Sequence, residues 1–141
     1  MAGKSIYQSD RVLSLLLGTT VTGSPSTYVN LFTVNPPGAG LSGTEWSMSR
    51  VQVAQTDPGT GPYWSGAPES FGNYRYISNQ RTISWTTTAG YDATQIIVGI
   101  GVWDAVTGGN LLYWESFEIN KTLAVDEEIA LGTGALKVRE K

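Results

Sequence analysis

The chain is 141 residues long, with 17 glycines, 6 prolines, 15% charged side chains and a net charge of −3. That length suits one domain, and so few charges among so many turn formers and β-branched residues exclude both a helical bundle and a disordered chain. Cysteine and histidine are both absent, which excludes disulfides, thiol or Ser-His-Asp catalysis and any thiolate- or imidazole-bound metal.

The first predicted element is a helix. Ser5 and Gln8 stand at the spacing of a capping box, Ile6, Leu13, Leu16 and Leu17 follow near helical spacing, and Gly18 occupies a C-terminal cap position. Val12 and Leu15 lie off that stripe. About three turns are marginal alone, so the helix is expected to pack either on its own domain or on a partner subunit. The apolar run over 12–17 is too short to span a membrane. No signal-peptide cleavage pattern follows it. Synthesis in the cytoplasm, with retention there or delivery into an assembly, is expected.

Thr19–Ser26 reads as a linker. Tyr28–Val34 alternates as a half-buried strand, with Tyr28, Asn30, Phe32 and Val34 on one side, and Pro36-Pro37 ends it. Gly38–Gly43 reads as a loop, and Arg50–Ala54 as a short strand with Val51 and Val53 inward. Residues 55–75 lack periodicity and contain Pro58, Pro62 and Pro68, with Tyr63, Trp64, Phe71, Tyr74 and Tyr76 in or beside them. So many aromatics in a loop predict either a partner-binding surface or a flap folded over the core. Arg81–Thr86 resumes strand alternation.

The clearest local signal lies between the apolar run Ile96–Trp103 and Leu111–Glu115. Gly108, Gly109 and Asn110 between them give the sequence form of a β-hairpin, with Trp103 and Trp114 expected to pair across the strands. Strand segments at 117–123, 129–131 and 135–139 close the chain. The whole predicts an all-β fold: one β-sandwich or jelly-roll-like domain of seven or eight strands over 19–141, preceded by an N-terminal arm and helix over 1–18.

Residues 51–136 hold nine acids and three bases, a net −6, while the flanks carry +3 through Lys4, Arg11, Arg50, Lys137, Arg139 and Lys141. That distribution is unlike a nucleic-acid binder. The basic ends are either solvated or docked on an acidic neighbour. Asp126, Glu127 and Glu128 lack the alternating ligand pattern of a calcium loop. Glu115 and Glu118, three apart on a strand, point to opposite faces, unlike a glycosidase pair. Gly99 and Gly101 open no helix, so they form no dinucleotide fingerprint. Catalytic residues, cofactors and metal ligands are not expected, and the protein is not expected to be an enzyme.

Several segments, in order, carry a family resemblance: TYVNLFTVNPPGAGLSGTEWS (27–47), ISNQRTISW (77–85), IIVGIGVWDAVTGGNLLYWESFEINKTLAVDEEIAL (96–131) and GTGALKV (132–138). Over about residues 5–138 the chain resembles a family of small tailed-bacteriophage virion structural proteins, often labelled tail fibre protein and in some phages serving as capsid decoration or cement. The resemblance implies a virion location and no catalytic residues. A fibre shaft needs long repeats, which this chain lacks, so a cement protein is expected: a homotrimer binding the major capsid protein and copies of itself, with no nucleic acid or membrane partner. Tail location would instead imply contact with host surface glycans, through Trp64 and Tyr63. The residues expected to bind a partner are Leu13, Leu16, Leu17, Tyr63, Trp64, Phe71, Tyr74 and Arg139.

Overall fold

The computed structural model describes residues 2–23, 26–37 and 43–140. Along the chain run β1 (Ala2–Lys4), α1 (Ile6–Leu16), β2 (Ser26–Val34), β3 (Thr44–Glu45), β4 (Val51–Ala54), β5 (Glu69–Phe71) and β6 (Tyr74–Ser78). They are followed by β7 (Ile83–Thr86), β8 (Ile96–Trp103), β9 (Leu111–Thr122), β10 (Glu128–Leu131) and β11 (Lys137–Glu140). The expected all-β fold with one N-terminal helix is what the chain adopts. Its strands outnumber the predicted seven or eight because β1, β3 and β5, of two or three residues each, are too short to show periodicity and β6 forms where no strand was expected, while the segments expected at 111–115 and 117–123 are one strand, β9. Of the loop expected over 38–43, residues 38–42 lie outside the described residues, as do 24–25 of the linker.

The largest sheet runs β1-β9-β8-β2, with β3 and β4 sharing the outer edge of β2. β11-β6-β5 and β10-β7 form two smaller antiparallel sheets. Val29, Leu31, Ile100 and Val102 of the large sheet share one buried cluster with Ile83 and Trp85 of β7, and Ile77 and Val138 pack against it. The arrangement is sandwich-like, with alternate residues of each layer turned inward.

On its opposite face, β2 and the β8–β9 hairpin build a second buried cluster of Phe32, Trp103 and Trp114. The two tryptophans are not directly opposed. Trp114 faces Gly101 and Trp103 faces Leu111, so the two are diagonal neighbours in that cluster. Gly101 makes this possible, since a Cβ there would lie 2.5 Å from the Trp103 ring and 2.8 Å from that of Phe32. The turn follows the sequence reading, with positive φ at Gly108 and Gly109. Asp104 closes it, its Oδ1 accepting from the Asn110 backbone N–H at 2.7 Å and its Oδ2 from Asn110 Nδ2 at 2.9 Å.

Farther along, the pairing is irregular. β8 advances two residues between Ile97 and Gly99, while β9 advances five between Ser116 and Lys121. Residues 117–120 therefore bulge, and Ile119 stands 84% exposed. The alternation that put Glu115 and Glu118 on opposite faces is broken there, and both border one groove.

Candidate functional site

α1 begins and ends as its sequence prescribes. Ser5 Oγ accepts from the Gln8 backbone N–H at 3.1 Å. Gly18, at φ +74°, ends the helix with Gly18 N–H donating to Leu15 O and Thr19 N–H to Ser14 O, a Schellman closure. The reciprocal half of the capping box is not formed. Gln8 Nε2 reaches the Tyr113 hydroxyl at 3.3 Å instead, and the Ser5 backbone N–H donates to Leu112 O. These bonds tie the helix to β9.

The side of α1 tied to the rest of the molecule is thus polar. Gln8 bonds Tyr113, and Arg11 Nη2 donates to Thr22 O at 2.6 Å. No residue of the helix is buried, and Ile6, Leu13, Leu16 and Leu17 are exposed, the last two by 82% and 83%. A helix packed for itself would show the reverse arrangement.

Phe71, 74% exposed, lies opposite Tyr74 in the β5–β6 hairpin. Tyr63 and Trp64 do not join it. Trp64 is only 5% exposed, and its indole N–H donates to Thr27 Oγ1 at 2.8 Å. The expectation of a free Trp64 ring for stacking on sugar is therefore corrected: the ring is core, fixed by bridges from Ala54 to Tyr63 and from Trp64 to Asn79. Tyr63 is partly buried, with the Arg81 guanidinium 5.1 Å from its ring centre. The segment over 55–75 is thus part flap and part hairpin. Its first half gave no periodic signal because isolated bridges, not strands, hold it.

Tyr74 and Arg139 are brought together. The Arg139 guanidinium sits 5.9 Å from the Tyr74 ring centre, at a cleft of about 360 Å³ where the β11 layer parts from the β8–β9 face. Lys4, Lys137, Tyr113 and Glu115 also line it. Sequence reading grouped Lys4, Lys137 and Arg139 only as basic ends; antiparallel pairing of β1 on β9 and β11 on β6 makes them one site.

Buried Asn79 holds the β11 wall and was missed. Its Nδ2 donates to Arg81 O and Gly132 O, each at 2.9 Å, and its Oδ1 accepts from Leu136 N–H at 2.9 Å. An asparagine before the Gln80-Arg81 turn was the available signal, since such side chains bond nearby backbone.

Residues 3–139 match the family described as podophage GP4 fiber I protein gp80. No curated protein matches the chain.

Proposed function

The chain belongs to the podophage GP4 fiber I protein gp80 family, and from that premise we propose that it is a non-enzymatic, fibre-type component of a phage virion, joined to its neighbours through the outer face of α1. The observation carrying this reading is the reversed helix: its polar side bonds β9 and Thr22, while Leu13, Leu16 and Leu17 face outward. Burying a leucine side chain stabilises by about 1.5–3 kcal/mol, and Leu16 and Leu17, more than four-fifths exposed, gain little of it among the described residues. Copies of itself are among the neighbours. Eleven residues make a helix only about 16 Å long. Three such helices packed together, as in a homotrimer, bury more of each apolar stripe than two.

A capsid-cement role is the second reading, favoured by the absence of any fixed-period repeat from which a shaft could be built. Antibody labelling of intact particles separates the two. Label on fibres or at the tail is the expected result; label spread over the head lattice would replace the fibre reading with the cement one.

A further inference from the structure

We propose that the cleft between β11 and the β8–β9 face binds a carboxylated saccharide. Its volume of about 360 Å³ falls within the range of small-ligand pockets, which are mostly apolar with a few polar groups that fix orientation. The lining has that composition. Ile100, Val102 and Val138 supply apolar surface; Lys4, Lys137 and Arg139 bring positive charge to the same lining.

Two further features narrow the ligand. Tyr74 and Tyr113 contribute aromatic surface of the kind that packs on the C–H face of a sugar ring. The Arg139 guanidinium against Tyr74 and the Lys137 ammonium, 5.1 Å from the Tyr76 ring centre, are seated on aromatic rings. Glu115 also lines the cleft, and Glu118 the groove that continues it. A carboxylate repels a polyphosphate but accepts hydrogen bonds from sugar hydroxyls. Cations for one carboxylate, an acceptor for hydroxyls and aromatic surface for the ring together describe a uronic- or sialic-type sugar better than a nucleic acid or a bare anion.

The proposal goes beyond the fibre reading and does not depend on it, because a protein located elsewhere on the particle would keep the same cleft. The test titrates the isotope-labelled full chain with trigalacturonic acid and follows backbone amide shifts, with maltotriose and inorganic sulfate as separate probes. Shifts are expected in 113–115 and 136–139, with a Kd of about 1 mM. Binding should weaken as salt is raised to about 1 M, where the screening length falls to about 3 Å. Arg139→Ser and Lys137→Ser, both at exposed strand positions, should each weaken binding by about fivefold or more while leaving shifts elsewhere unchanged. Maltotriose should bind at least about tenfold more weakly. The proposal is overturned if trigalacturonic acid leaves the cleft amides unmoved or binds the variants as tightly as the parent. Equal binding of maltotriose or sulfate would also overturn it.

Discussion

Arg50 commits its whole guanidinium to one place. Nε and Nη2 each donate to the Glu45 carboxylate at 2.8 Å, and Nη1 donates to Ala105 O at 2.6 Å and Gly108 O at 2.7 Å. The group also stacks 4.4 Å from the Trp103 ring centre, and its side chain is only 7% exposed. A planar fork of donors is needed to serve a carboxylate and two carbonyls at once, so lysine is no substitute. Arg50→Ala is expected to cost about 2–4 kcal/mol, because it strands a half-buried carboxylate and two turn carbonyls. Arg50→Lys should recover less than half of that loss, as read by denaturant unfolding at constant slope. Glu45 supplies a pH signature. Burial alone would raise its pKa, but hydrogen bonds from Arg50 and Asn30 and the charge of Arg50 outweigh this and hold it below the ordinary carboxylate value. A depressed folded-state pKa contributes stability that is present above the unfolded value, about 4.3 for glutamate. That stability is lost as pH falls from there through the folded-state value. Glu45→Gln should therefore be less stable than the parent at pH 7, with the gap narrowing below about pH 4.3; a gap constant from pH 7 to 3 would contradict the assignment.

At the scale of elements, the β8–β9 hairpin is built on a missing side chain. Gly101→Ala places a Cβ against Trp103 and Phe32, both held in the same buried cluster. Overpacking of this kind should cost about 1–3 kcal/mol, and near-ultraviolet dichroism should report the displaced tryptophan. An alanine as stable as glycine would show that the three rings have room to move. The hairpin also shows how much was legible in the sequence. Its strands, its turn and the positive φ at Gly108 and Gly109 follow from local chemistry and were readable. The diagonal placement of Trp103 and Trp114, and the bulge at 117–120, depend on register between strands and were not. The same division holds elsewhere. The ends of α1 were legible because caps are local, whereas the burial of Trp64 depends on Thr27, 37 residues away. The cleft was the least legible feature, since its residues come from both ends of the chain and from β6, β8 and β9. Asn79 supports it from behind. Asn79→Ala should remove about 2–3 kcal/mol by leaving buried carbonyls and the Leu136 N–H unpaired, and should weaken trigalacturonic acid binding without altering any cleft side chain. Asn79→Asp keeps the acceptor for Leu136 but sets a buried carboxylate against the Arg81 and Gly132 carbonyl oxygens, so at pH 7 it should be no more stable than Asn79→Ala.

Over the whole molecule, charge and apolar surface are segregated in a way that makes the two proposed modes of attachment separable. Residues 51–136 carry a net −6, so copies of that body repel one another. α1 carries only Asp10 and Arg11 as charges, so a contact through its exposed leucines would add little to that repulsion. Contact through α1 should therefore strengthen or hold steady as salt rises, because screening removes repulsion between bodies while apolar burial persists. Saccharide binding in the cleft should weaken over the same range. The double substitution Leu16→Glu with Leu17→Glu tests the helical arm. Both side chains are more than four-fifths exposed, so the folded monomer should lose only about 0.3–1 kcal/mol for each acid placed at the helix C-terminus. Sedimentation should show concentration-dependent association of the parent and a monomer for the double variant, and the variant should be depleted from particles. A parent that stays monomeric at every concentration, together with a variant incorporated normally, would remove α1 as an attachment surface while leaving the cleft and its ligand untouched.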